Sequence, residues 1–231
     1  MLAIIQARMS SKRLPGKVLL PVEGRPMLLW LIDGLRHSRM ITKLMIATSS
    51  SDSDDPIASF SHNHEIPIVR GELDDVVGRF LLAAQDANAK EFIRINGDSP
   101  FIDPKLIDKA VTAYKENDVD LVTNVFPRSY PRGQSVEVIR VEALEKISVS
   151  IKNIEDREHV TTYFYRHPEK YRILNFSCEV DLSNIQLSVD SNEDFRAFER
   201  MAAAMNQPHW TYGYKMLADM KSYLGEKDLE T

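Results

Sequence analysis

Positive charge is concentrated in one short stretch near the start of this chain. From Gln6 to Lys17 the sequence runs Gln-Ala-Arg-Met-Ser-Ser-Lys-Arg-Leu-Pro-Gly-Lys, and no acidic residue precedes Glu23. Arg8, Lys12, Arg13 and Lys17 thus fall within ten residues. Arginine offers planar forks to phosphate oxygens, and lysine offers a compact point charge. Ser10 and Ser11 add hydroxyl and backbone donors. Such a set suits the holding of a polyanion. The alternative is a solvated basic loop, but its place at the end of a first strand, with no acid nearby, favours an anion site. A second stretch, Asn96-Gly97-Asp98, follows another apolar strand-like run. Gly97 permits a tight turn that aims the carboxylate of Asp98 outward, unless Asp98 is simply a turn or capping residue. Asp190 ends the run Leu187-Ser-Val-Asp190, ahead of the Ser191 cap, where a capping role is open to it.

Several common motifs are absent. No G-x-G-x-x-G follows the first strand. Gly16-Lys17 looks like the end of a P-loop, but Ser11 stands where its first glycine belongs and Val18 replaces the Ser/Thr. His62, His64 and Glu65 do not form H-E-x-x-H and are expected on a solvated helix end. There is no G-x-S-x-G. Cys178, the single cysteine, lies in a strand-like stretch and is expected to be a buried structural thiol.

The elements that must position these residues alternate. Strands are predicted at Leu2–Gln6, Lys43–Thr48, Ile66–Val69, Glu91–Ile95 and Asp120–Thr123, each short and rich in Ile, Val or Leu. Between them, Met27, Leu28, Leu31, Ile32 and Leu35 make one helical apolar stripe; Val76, Val77, Phe80, Leu81 and Ala84 make a second. Leu106, Ile107, Ala110, Val111 and Tyr114 make a third. Asp55-Pro56 and Asp103-Pro104 are predicted N-cap and first-turn pairs, and Ser191 with Asp194 has capping-box spacing. The pattern predicts an α/β fold with a mostly parallel sheet covered by helices on both faces. After about residue 125 the alternation loosens. Gln134–Val141 and Tyr171–Ser177 are predicted as extra strands, with one helix at Glu155–His167 between them. We expect a single domain over 1–231: a core at 1–125, a strand-containing extension at 126–190, and C-terminal helices at 191–231. In open α/β sheets ligands bind at the carboxyl ends of the strands, so the loops at 6–17, 48–55, 69–75, 96–103 and 124–135 are where function is sought.

Composition excludes other classes. The 231 residues are 43% hydrophobic and 27% charged, an ordinary globular balance that argues against disorder. No window approaches a membrane-spanning length of apolar residues. One cysteine rules out an internal disulfide framework or an all-cysteine zinc site, and suggests a reduced, cytoplasmic protein. The net charge of -5 argues against nucleic acid or anionic membrane as partner. Residues 1–22 nevertheless hold four cations and no acid, leaving 25 against 34, or -9, for the remainder.

The run Ala7–Lys17 resembles the nucleotide-binding motif of sugar cytidylyltransferases. These include the enzymes that make CMP-sialic acids and CMP-Kdo, and most closely the spore-coat polysaccharide biosynthesis branch. Five further segments match in order: Ala47-Thr48-Ser49, Arg70-Gly71-x-x-Asp74-Asp75-Val76, Asn96-Gly97-Asp98-Ser99-Pro100, Asp156-Arg157-Glu158-His159-Val160-Thr161 and Leu187–Phe195. The likeness spans roughly residues 1–205, and several motifs in the right order are far more specific than one.

The resemblance implies a nucleotide-diphospho-sugar transferase-like, Rossmann-like fold, CTP as substrate, and an acidic sugar as acceptor. It makes Arg8, Ser10, Ser11, Arg13 and Lys17, with Arg70 and Asn96, the nucleotide ligands; Lys12 falls at a variable position. It makes Arg13, Lys17 and Asp98 catalytic, and Asp98 with Asp190 ligands of Mg2+. Sugar contacts would come from Tyr130, Gln134, Glu137, Arg157 and His159, with Tyr130 stacking and Arg157 meeting a carboxylate unless it pairs with Asp156 or Glu158. Relatives often carry an aspartate where this chain has Ser135, a departure that bears on the sugar. A homodimer is the norm in the sialic acid branch. Two rival expectations stand beside this: a metal-dependent glycosyltransferase, for which Asp52-Ser53-Asp54 supplies a D-x-D spelling, and a non-catalytic CTP- or sugar-binding homologue.

Overall fold

A computed structural model describes residues 1–151 and 154–227. Its main sheet has seven strands in the order β5-β4-β1-β6-β8-β7-β9. These are β1 (Leu2–Gln6), β4 (Lys43–Ser49), β5 (Ile68–Gly71), β6 (Glu91–Asn96), β7 (Leu121–Thr123), β8 (Glu137–Arg140) and β9 (Ile173–Asn175). A two-strand ribbon, β2 (Pro21–Val22) and β3 (Arg25–Pro26), lies apart. The sheet is mostly parallel, as expected. β8 alone runs against its neighbours, inserted between β6 and β7. The extension at 126–190 therefore adds β8 and β9 to the same sheet.

Alternation along each strand splits the core into two layers. Ala3 and Ile5 of β1 join Ile46, Ile93 and Ile95 under helices α1 (Met27–Leu35), α2 (Asp55–Asn63), α4 (Pro104–Glu116), α8 (Asn192–Ala204) and α9 (Tyr214–Lys227). Leu2 and Ile4 join Met45, Ala47, Phe92, Leu121 and Ile139 under α3 (Val76–Asp86), α5 (Val141–Ser150) and α7 (Thr162–Arg166). The three predicted stripes all face inward: Leu28, Leu31, Ile32, Val77, Phe80, Ile107 and Val111 are fully buried.

Boundaries move where side chains compete with the ladder. The third strand begins at Ile68 rather than Ile66, because Ile66 is tied by both its backbone groups to Ser61 at the end of α2. The predicted strand Gln134–Val141 shrinks to Glu137–Arg140. Buried Gln134 instead uses its side chain, accepting from the Asp103 N–H at 2.8 Å and donating to the Phe101 carbonyl at 2.7 Å. Tyr171–Ser177 likewise shortens to Ile173–Asn175. The single helix predicted at Glu155–His167 is two, α6 (Ile154–Glu158) and α7, broken at 159–161. Asp103 and the Ser191–Asp194 box cap as predicted. Asp55 does not: it is already helical, and Asp54 precedes it.

Asp54 has a different task, and it governs the first loop. Its carboxylate is fully buried and accepts from the Met9 N–H at 2.7 Å, and from the Ser49 N–H and the Thr48 hydroxyl at 3.0 Å each. The Ser49 hydroxyl also donates to it. Burial alone would raise this carboxyl; the donors from Ser49, Met9 and Thr48 outweigh it and hold the group below its ordinary value. The loop after β1 is thus pinned to the end of β4.

At the other end of the chain, His209 is buried against Trp30, with Nε2 2.7 Å from the Trp30 carbonyl. This contact ties the segment before α9 onto α1, so α9 closes the core, with Leu217 and Ala218 buried.

Two outcomes follow. Asp54→Ala leaves four donors around an empty buried site and should cost about 2–4 kcal/mol in chemical denaturation. Burial lowers the His209 pKa to about 4 from 6.5, so the unfolded chain takes up a proton that the folded chain refuses. Stability should then be fully present above pH 6.5 and fall by about 2 kcal/mol between pH 7 and pH 5. In His209→Gln that slope should largely disappear.

Candidate active site

β1 and β6 are register neighbours, with Gln6 opposite Asn96, and both end at one cleft of about 380 Å³. The backbones come unusually close there: the Gly97 N–H donates to the Gln6 carbonyl at 2.8 Å, and a Cβ on Gly97 would lie 2.7 Å from that oxygen. Only glycine fits, and the turn it allows delivers Asp98 to the cleft. Arg8, Ser11, Lys12, Arg13 and Lys17 line it together with Asp98, Asp190, Glu158 and His159.

Lys17 is the best-buried of the four loop cations. Its ammonium donates to Asp98 at 2.9 Å, to the Val189 carbonyl at 2.6 Å and to Asp190 at 3.3 Å, so its three donors are all engaged. Arg13, mostly exposed, pairs with Asp190 at 3.0 Å. Asp190 also accepts from Gln186 at 3.0 Å. Burial would raise the Asp190 carboxyl, but Lys17, Arg13 and Gln186 prevail and keep it below its ordinary value. The Asp190 amide, not its side chain, joins the helix cap, donating to Asp194 at 3.0 Å. Arg8 pairs across the cleft with Glu158 at 2.8 Å.

Asp98 and Asp190 converge on one point, the Lys17 ammonium. Among the described residues no group of three or more His, Cys, Asp or Glu side chains is placed to hold a metal. Two converging carboxylates are oxygen donors of the kind a hard divalent cation takes together with substrate phosphates. The donor set therefore fits Mg2+ with a bound nucleotide.

A second, smaller recess of about 210 Å³ adjoins the cleft, sharing Asn96 and His159 with it. Strand register builds its floor. Arg94 of β6 stands opposite Glu137 of β8, which stands opposite Thr123 of β7. The three continue the apolar rows of Phe92, Ile139 and Leu121 on the same face, two residues along each strand. Where the hydrophobic layer runs out, a polar row begins. Arg94 pairs with the buried Glu137, and Tyr165 of α7 donates its hydroxyl to the same carboxylate and lies 2.9 Å from the Thr123 hydroxyl. Burial first, and the Glu137 charge second, push the Tyr165 phenol above its ordinary value.

Several expected residues are engaged elsewhere. Ser10 is exposed and does not line the cleft. Arg70 is held by the carbonyls of Ser49 and Ser51 and by Asp55 at 2.8 Å, away from the cleft. Tyr130 is buried in the core, its hydroxyl donating to the Ser177 carbonyl at 3.2 Å and its ring edge-on to Phe176 and Tyr214. Gln134 is the buried brace described above. Arg157 pairs with Asp75 at 3.0 Å, linking α6 to the loop before α3. Of the expected sugar contacts, Glu137 and His159 line the recess. Lys12, at the variable motif position, is exposed and lines the cleft. Cys178 is half-buried, its sulfur 3.3 Å from the Tyr214 hydroxyl.

Arg94 and Tyr165 are not singled out by sequence, whereas Arg128 and Glu158 lie in the stretches 128–133 and 156–159 from which the resemblance draws sugar contacts. Arg94 had a signal, a charge within the apolar run Phe92-Ile-Arg-Ile95. The D-x-D spelling at Asp52-Ser53-Asp54 does not make a metal site, since Asp54 is buried under four donors.

The family model described as cytidylyltransferase matches residues 2–223. The chain is 33% identical over 208 residues to the spore coat polysaccharide biosynthesis protein SpsF of Bacillus subtilis, covering 87% of this chain and 85% of that protein. It is 34% identical over 125 residues to a 3-deoxy-manno-octulosonate cytidylyltransferase of Synechococcus elongatus, covering 54% of this chain and 50% of the other. A solved cytidylyltransferase of Leptospira borgpetersenii superposes with a TM-score of 0.89 at 27% identity, over 98% of this chain and 94% of that one. With the Rossmann-like sheet and a cation-lined cleft at its strand ends, these similarities place the chain in the cytidylyltransferase family of nucleotidyltransferases.

Proposed function

We propose that the chain transfers a cytidylyl group from CTP to a hydroxyl of an acidic sugar, giving a CMP-sugar and pyrophosphate for polysaccharide or glycan synthesis. The observation that supports this best is the meeting of four loop cations with two converging carboxylates in one cleft, beside a separate polar recess. Arg8, Lys12, Arg13 and Lys17 neutralise the triphosphate, and the recess takes the sugar. The sugar oxygen bonds to the α-phosphorus as the bond to the β-phosphate breaks. Pyrophosphate leaves with the electron pair, and the hydroxyl proton passes to solvent. In such in-line transfer the protein contributes mainly positioning and charge. Arg13 and Lys17 exchange their carboxylate partners for the pyrophosphate and stabilise it as it departs. Asp98 and Asp190 would hold Mg2+, which would supply positive charge at the α-phosphate. Homodimeric assembly belongs to the same reading and rests on the resemblance; a cytoplasmic, reducing location rests on the single Cys178. Among the described residues no helix is long and apolar enough to cross a membrane.

Pyrophosphate release from CTP is the direct test, run against a panel of nonulosonic acids with and without Mg2+. Release that needs both an acid and the cation is expected. Failure of every acid, together with no CTP binding by calorimetry, overturns the reading, while transfer from a nucleotide-sugar would favour the glycosyltransferase.

Asp98→Asn should lower kcat by about 10²–10³-fold while CTP affinity changes little; equal loss of both would remove Asp98 from the transition state. Lys17→Met leaves two carboxylates without their shared cation. In that variant Mg2+ alone, without CTP, should raise the melting temperature, and it should do so less in the wild type.

A further inference from the structure

One side chain in the polar recess is left electrically unanswered. Arg128 lines the recess beside Arg94, Ser135, Glu137 and Tyr165. Its Nη2 donates to the Ser135 hydroxyl at 3.0 Å, while its Nη1 is buried with no hydrogen-bond partner. The nearby carboxylate is already committed: one oxygen of Glu137 takes Arg94 and the other takes Tyr165. Among the described residues Arg128 makes no ion pair, and its neighbour Arg132 adds charge of the same sign. Burial and Arg132 lower the Arg128 pKa, but a guanidinium remains charged at any working pH. A half-buried charge with a buried, unmet donor is costly unless something anionic arrives.

We propose that Arg128 reads the carboxylate of the acidic sugar, and that the neutral Ser135 is what leaves it free to do so. This deepens the transfer proposed above and rests on it. A planar two-oxygen anion matches the fork of a guanidinium, so a sugar carboxylate supplies both the missing partner and the missing charge. A carboxylate from the protein at position 135 would lie within reach of Nη2 and answer Arg128 internally, closing the recess to an anionic substituent. Because the recess shares Asn96 and His159 with the nucleotide cleft, a sugar held there abuts CTP. Ser135 is thus a specificity determinant that acts through Arg128.

The test is calorimetric binding to the full chain, measured separately for CTP and for three kinds of probe. The probes are carboxylated sugars (3-deoxy-manno-octulosonate and N-acetylneuraminate), the primary amides of those acids, and glucose 1-phosphate. The wild type is expected to bind a carboxylated sugar at least tenfold more tightly than its amide. Arg128→Met and Ser135→Asp should each abolish that preference and leave CTP affinity within twofold, with both variants folded by circular dichroism. Ser135→Asp keeps the arginine, so loss of preference there separates charge pairing from lost packing. Unchanged acid-over-amide preference in both variants overturns the inference, as does tighter binding of glucose 1-phosphate than of either acid. A wild type that binds CTP but none of the acids overturns it while leaving the nucleotide site standing. Acid binding that depends on Arg128 without any CTP binding instead sinks the cytidylyl-transfer reading and spares this one.

Discussion

The ammonium of Lys17 joins three segments that are remote in sequence. It belongs to the loop after β1, while its partners Asp98 and Asp190 follow β6 and precede α8. A single cation between two carboxylates, largely withdrawn from water, is held far more firmly than an exposed pair. It brings the segments on which the cleft is built together. Under the proposed transfer that contact would have to be undone, because the carboxylates that hold Lys17 are the ones a cation would need. Triphosphate would then replace the carboxylates as the partner of Lys17, the cation would replace the ammonium, and binding of the two would be coupled through one exchange of charge partners.

The site can afford that exchange because its surroundings do not depend on it. Asp54 anchors the first loop from behind, through the Met9 N–H, with no part of the anchor facing the cleft. The close approach of Gly97 to Gln6 sets the position of the second loop through the backbone alone. The side chains at the front are then free to trade partners over a fixed frame, the arrangement expected of a preorganised polar site.

The adjoining recess has a different origin. It comes from the one antiparallel strand. Placing β8 between β6 and β7 sets Arg94, Glu137 and Thr123 in a row on the face whose other rows are core. Arg94 and Glu137 pair with each other, so the charges in the row are matched where they are buried. Arg128 remains as the charge without an internal answer. The nucleotide cleft and the recess share a wall because β6 contributes to both.

Much of this was legible in the sequence for local reasons. Apolar periodicity marked the parallel strands β1, β4, β5, β6 and β7 and the stripes of α1, α3 and α4, since burial of one face is a local pattern. The basic loop stood out by residue type and spacing, and Asp98 and Asp190 through the resemblance of their motifs. Misplacements arose where a distant partner decided. Asp54 looked like a cap neighbour in a D-x-D spelling, and only the returning Met9 amide makes it the buried anchor. Tyr130 and Gln134 looked like sugar contacts and are core braces, because Ser177 and the Phe101–Asp103 segment come to meet them. Arg157 found Asp75, remote in sequence. The antiparallel insertion of β8 was invisible, since strand order and direction are set by long-range pairing and leave no mark in a single run of residues. The sequence by itself determined which residues carry charge and which faces are apolar. The tertiary structure alone decided which charges meet, because an ion pair or a buried hydrogen bond depends on angstrom distances that folding creates between segments far apart in the chain.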